Sequence, residues 1–150
     1  MRYDLVRPCA SCPFRREGIE GAEKQPVRLG TQRVREVAGT AGWQGAEFQC
    51  HETWYNAPEL DQGDEEDDQA FARRCSSYKG AQHCAGALIF GLKNGGPHQM
   101  GRITGRLGMW DPDKLEAHSD LVFDDLDEFL ATSLDRAVRS LRRRRKARAK

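Results

Sequence analysis

Nowhere in its 150 residues does this chain run apolar for the span of a bilayer, and its opening, MRYDLVRPCA, holds no apolar h-region. Those absences predict a cytoplasmic protein with no membrane partner. Apolar residues are scarce, at 38% against 31% charged, and aromatics make up only 8%. So little material predicts a thin core, of the kind that leans on a metal, disulfides or a partner. Net charge is nearly absent too: +1 gives no global pull toward nucleic acid or membrane. No Ser/His/Asp grouping, phosphate-cradling loop or paired-carboxylate motif is present, which counts against hydrolysis and phosphoryl transfer. HETWY (51–55) is no zincin motif, because Tyr55 stands where that motif needs histidine. Nor is there an internal repeat.

Charge is instead segregated. PELDQGDEEDD (58–68) is an acidic block, residues 111–128 are acid-rich, and RSLRRRRKARAK (139–150) is a basic tail. The length fits a single domain, residues 1–138, followed by the tail at 139–150. Periodicity predicts a mainly α fold, with a small α+β arrangement as the alternative: an irregular N-terminal region, then several helices. Thr31 caps a short helix to about Ala41, with Val34, Val37, Ala38 and Ala41 on one stripe. EFQCHETW (47–54) is short and extended, and residues 56–70 form a polar loop. A helix runs from about Gln82 to Lys93, closed by Asn94, two glycines and a proline. Residues 98–107 add a helix with Met100, Ile103 and Leu107 inward. The long last helix starts near Asp124 and carries Leu126, Leu130, Leu134, Ala137, Val138 and Leu141 at helical spacing. The carboxylates of DLVFDDLDEF favour its N-terminus.

The five cysteines are an odd, unevenly spaced set, and a cytosolic chain keeps its thiols reduced, so a disulfide framework is disfavoured. Cys9 and Cys12 form a knuckle in which both sulfurs can face one ion, stiffened by Pro8 and Pro13. Cys50 sits in FQCH, and Cys84 opens the most apolar helix, where the helix dipole favours a thiolate. Four thiolates from three separate elements can enclose one metal centre, and such binding contributes directly to folding. His51 and His83 each adjoin a candidate ligand, and neighbouring side chains diverge, so they are expected beside the ligands, with ligation as the alternative. His98 and His118 read as solvated, and Cys75, in RRCSSYKG, as a partly exposed cysteine outside the set. Zinc would be satisfied by four thiolates in a closed structural site. Scattered single ligands suit the wider sulfur spacing of an iron–sulfur cluster, which is the preferred of the two. Arg15 and Arg16 are placed to offset the charge of either centre.

PCASCPFRR, then FQCH, then CAGAL leading a helix that ends near Asn-Gly, resemble an uncharacterised family of small bacterial and bacteriophage proteins. That family is catalogued as a domain of unknown function with a CxxCPFR…CH…CAG cysteine signature. The resemblance covers residues 7–95, and more loosely RITGRLGMWDPDKL and onward to about 130. It implies the metal set Cys9, Cys12, Cys50 and Cys84, with His51 beside Cys50 and Gly86 after Cys84, and a cell that is bacterial or phage-infected. It implies no activity. Two departures stand out: the acidic loop between Cys50 and Cys84 is long, and Cys75 falls outside the signature.

The resulting expectation is a small four-cysteine metal protein acting as a non-catalytic binding or regulatory module for an unknown protein partner. Two alternatives stay open. A redox-active iron–sulfur or dithiol oxidoreductase would draw on CxxC with Arg7, Arg15 and Arg16 lowering a thiol pKa. A nucleic-acid-binding protein would use the tail, where Arg142, Arg143, Arg144, Arg145 and Lys146 offer phosphate contacts without sequence readout.

Overall fold

The computed structural model describes residues 2–16, 32, 34, 35, 37, 48–50, 52, 53, 67, 69, 70, 73 and 78–148, with backbone alone at 140 and 143–148. His51, Cys75, most of the acidic block and the side chains of Arg143, Arg144, Arg145 and Lys146 lie outside the described residues. The fold is mainly α. Its described helices are α1 (Ala85–Lys93), α2 (Gln99–Arg106), α3 (Pro112–Glu116) and α4 (Leu126–Arg148), with a single 3-10 turn at Ser119–Leu121. Among the described residues no helix is long and apolar enough to cross a membrane.

Helix α1 is apolar all round, and six of its nine residues are buried, so it forms the centre of the molecule and not a face of it. It starts three residues later than periodicity predicts, because Gln82 and His83 are taken up in backbone bridges to other segments. Its end follows the expected chemistry. The Asn94 amide bonds the carbonyls of Phe90 and Gly91, and Gly95 and Gly96 take φ of 93° and 111°, values that suit glycine. Lys93, in the last turn, donates to the carbonyls of Ser119 (2.6 Å) and Val122 (2.9 Å) and to Asp124 (2.8 Å). A cation there suits the dipole and pins the segment leading into α4.

The thin core is built on phenylalanine. Phe14, directly after the CxxC knuckle, meets Phe48, Phe90 and Phe129 at ring separations of 5.1, 5.3 and 5.5 Å. Phe123 meets Phe129 edge-on at 5.7 Å. Each ring buries a large apolar area, so five of the six phenylalanines supply what the composition withholds in numbers. Val34 and Val37, helical and buried, join this cluster as their spacing predicts. At its rim, Arg16 forks onto Glu128 (3.1 and 3.0 Å) and reaches Asp124, fixing the knuckle's exit to the start of α4. Asp125 caps that helix through the Glu128 amide at 2.8 Å.

Helix α2 forms where expected but is turned over. Met100, Ile103 and Leu107 are exposed, Leu107 at 71%, while Gly101 and Thr104 are buried. The reason is close packing on the small-residue side. The Trp110 indole donates to Gly101 O (3.0 Å) and Thr104 Oγ1 (3.1 Å), and a Cβ on Gly101 would lie 2.9 Å from Pro97 Cβ. In α4, Leu126, Leu130 and Leu134 pack inward and Ala137 is buried, but Val138 and Leu141 are exposed, Leu141 at 52%. The apolar stripe outlasts the body it packs on.

This orientation separates two kinds of substitution. Phe129→Ala should cost about 3–5 kcal/mol, the usual range for emptying a buried aromatic site. Leu107→Gln should stay within about 0.5 kcal/mol, as surface changes do. Urea denaturation of both variants measures this, and a multi-kilocalorie loss at Leu107 would restore the inward-facing arrangement.

Candidate metal centre

Two short backbone pairings and the knuckle's own turns bring distant cysteines together. Gln49 bridges His83 in antiparallel register: the Cys50 amide donates to Gln82 O and the Cys84 amide to Phe48 O, both at 2.8 Å. Side chains alternate across such a ladder, so Cys50 and Cys84 share one face as diagonal neighbours, and Gln49 and His83 take the other. On the far edge, Arg2 pairs in parallel with Gln82, and the His83 amide donates to Arg2 O at 2.7 Å. The CxxC knuckle is closed by its own turns. Cys12 N donates to Cys9 O and Arg15 N to Cys12 O, each at 3.1 Å.

The thiols meet at the start of α1. Cys12 Sγ lies 3.7 Å from Cys84 Sγ, across 72 positions of sequence. Cys9 hydrogen-bonds both Cys12 and Cys50, so the four side chains form one cluster. Cys12, Cys50 and Cys84 are buried, and Cys9 is half-buried. Gly86 makes the approach possible: a Cβ there would stand 2.3 Å from Cys12 Sγ. Burial, then contact with Cys84 and Cys9, pushes the Cys12 thiol well above its ordinary value. Contact with Cys9 and then burial do the same for Cys50. Without an ion, these are protonated thiols. Among the described residues no three or more His, Cys, Asp or Glu side chains stand at the spacing of a formed metal-ion site.

The charged and aromatic neighbours divide differently from the sequence expectation. Arg16 is engaged by Glu128, whose carboxyl its guanidinium holds low, and by Asp124, held low by Lys93 first and Arg16 second. Arg15 is buried, 3% exposed, and its Nε and Nη2 have no hydrogen-bond partner. His83 is buried between the Tyr3 ring, at 5.1 Å, and His98, and its Nδ1 lies 3.3 Å from Cys84 O. His98 is not a solvated residue: it is half-buried, caps α2 through the Gly101 amide, and meets His83 nitrogen to nitrogen at 2.7 Å. The sequence hid this because α1 and the turn after it separate the pair, with no periodic signal. The Gly-Gly-Pro that ends α1, just before His98, was its one trace.

His83 gives the site a pH signature. Burial first, and the neighbouring His98 charge second, lower its pKa from 6.5 to about 4. The unfolded chain therefore takes up a proton near pH 6.5 that the folded chain refuses until about pH 4. This group's contribution to stability is complete above pH 6.5 and should fall as pH drops toward 4, by about 3 kcal/mol. Denaturation midpoints of chelator-treated protein across that window read the slope, which His83→Gln should flatten. An unchanged slope in the variant would assign the acid sensitivity elsewhere.

No family model, curated protein or solved structure matches this chain. The site chemistry is the ground on which its function stands.

Proposed function

We propose that Cys9, Cys12, Cys50 and Cys84 bind a metal as four thiolates, and that the protein is a metal-stabilised, non-catalytic binding or regulatory module of the cytoplasm. The observation that carries this is the 3.7 Å contact between Cys12 and Cys84, with Cys9 touching both Cys12 and Cys50. A tetrahedral ion with metal–sulfur bonds of about 2.3 Å sets its sulfurs about 3.8 Å apart. That spacing supports zinc, or two cysteines on one iron. A four-iron cluster, with each cysteine on its own iron, wants a wider set. One further feature fits a shared centre: Gly86 leaves room for the Cys12 sulfur at the start of α1. The resemblance to the bacterial and phage cysteine signature implies the same four residues.

The dithiol alternative fits less well. An oxidoreductase needs a thiol whose pKa is depressed, whereas Cys12 and Cys50 are pushed up. Arg16, one of the cations expected to activate it, is neutralised by two carboxylates.

Metal and sulfide analysis of the anaerobically purified chain should find one zinc per chain, colourless in the visible range. Iron with stoichiometric sulfide would instead favour the cluster, and no metal at all would sink the proposal. Serine at any of the four positions, or Gly86→Ala, should release the metal and lower the thermal midpoint by roughly 10 °C or more. Cys75→Ser should do neither.

A second reading is favoured by α4. The helix continues from Ala137, the last residue described as buried, to Arg148, and Arg139 and Arg142 are exposed along it. At 1.5 Å per residue that stretch is about 16 Å long, and its basic sequence suits phosphate contacts by counterion release. Binding to non-specific duplex DNA should weaken steeply with salt and vanish on deleting residues 142–150. Equal binding by the truncated chain would remove the tail from the account.

A further inference from the structure

We propose that His83 and His98 form a positioning relay, held in one pair of tautomers, which ties Cys84 to the start of α2. The proposal rests on the four-thiolate reading for its consequence, though not for its geometry.

The hydrogens can be assigned from their partners. The Gly101 N–H donates to His98 Nδ1 at 3.3 Å, so that nitrogen accepts and carries no hydrogen. A neutral imidazole then has its hydrogen on the other nitrogen, Nε2, which lies 2.7 Å from His83 Nε2. His98 donates, and His83 Nε2 accepts. The Phe48 N–H, 3.4 Å from the same His83 nitrogen, requires an acceptor there as well. The remaining His83 hydrogen falls on Nδ1, 3.3 Å from the Cys84 carbonyl, which can only accept. Reversing the pair would set N–H against N–H at Phe48 and at Gly101, and a lone pair against the Cys84 oxygen. Three separate contacts, at Gly101, Phe48 and Cys84, select the same arrangement.

The ring geometry agrees. The planes are 11° apart and the ring centres 4.7 Å apart, while the nitrogens are at 2.7 Å. The rings therefore meet edge to edge in nearly one plane, as an N–H···N bond requires, and not face to face.

The relay ends on a consequential atom. Cys84 O also accepts from the Leu88 amide at 3.1 Å, the first helical bond of α1. With both acceptor directions in use, the peptide after Cys84 is fixed at the point where its thiol meets Cys12. His98 is thus a positioning residue, acting on Cys84 through His83 and not on the metal itself.

Two substitutions separate this role from simple helix capping. Asparagine keeps an acceptor where Nδ1 stands and retains the cap, but loses the reach of Nε2. Glutamine keeps a donor near the Nε2 position and loses the cap. His98→Asn and His98→Ala should both release metal to a chelator about tenfold faster than wild type, and shift the absorption of the cobalt-substituted protein. His98→Gln should stay close to wild type in both readouts. If Asn restores wild-type behaviour and Gln does not, His98 is only a cap and the relay is overturned. Nitrogen-15 NMR of the full chain tests the tautomers directly, with hydrogens expected on His83 Nδ1 and His98 Nε2. Hydrogens found on the opposite nitrogens would also overturn it. A chain that binds no metal would end the four-thiolate reading while leaving the tautomer measurement to decide the relay.

Discussion

One sulfur–sulfur contact organises this molecule. Cys12 and Cys84 meet at 3.7 Å across 72 sequence positions, and the parts that define the fold gather around that meeting. Closing so long a loop costs chain entropy that a weak thiol contact cannot offset. Something else must hold the ends. Part of it is Phe14, two residues past Cys12, which carries the knuckle into the aromatic core beside Phe90 and Phe129. The backbone ladder adds another part by setting Cys50 and Cys84 on one face. An ion bound by all four sulfurs would contribute the rest, since metal affinity in such a site is also folding free energy.

The core and the thiol cluster depend on each other geometrically. Helix α1 is flanked by phenylalanine near its middle and by sulfur at its start, and both contacts pass through the same turn of the knuckle, from Cys12 to Phe14. Arg16 then locks the exit of that turn to α4, and Lys93 locks the end of α1 to the same acidic corner through Asp124. These exposed ion pairs are each worth little, about 0–1 kcal/mol. Their value is directional: they fix where the central helix starts and stops relative to the long one.

Much of this was legible in the sequence, and the failures share a cause. Caps and stops are local chemistry, so the end of α1 at Asn94 and the acid-rich start of α4 were read correctly. The four described cysteines, Cys9, Cys12, Cys50 and Cys84, which spacing and context single out, lie together, while Cys75 is outside the described residues. Helix α2 was placed correctly and oriented wrongly, because a hydrophobic stripe at Met100, Ile103 and Leu107 says which residues share a face, not which face the body takes. Gly101 and Thr104 won because close approach to Pro97 and Trp110 needs small side chains. Val138 and Leu141 keep the helical spacing of the stripe but are exposed, because the period continues beyond the packing partner. The His83–His98 pair carries no periodic signal, only the Gly-Gly-Pro before His98, because α1 and the turn after it separate the two in sequence.

The electrostatics of the site make sense only as a whole. Burial and contact with neighbouring sulfurs push the Cys12 and Cys50 thiols up, so the metal-free cluster keeps those protons. A divalent ion bound by four thiolates would displace the thiol protons and leave a metal–thiolate group with two net negative charges. The same burial that raises the thiol pKa values therefore also strengthens the attraction once the protons have left. Binding and proton release would then be one event, and the site would resist half-measures: with one or two thiolates formed and no ion, the cost of burial is borne without the compensating charge. That is a physical reason for a tightly packed cluster to be either fully protonated or fully metallated, and for Gly86 to be needed at the one place where a methyl group would keep the sulfurs apart.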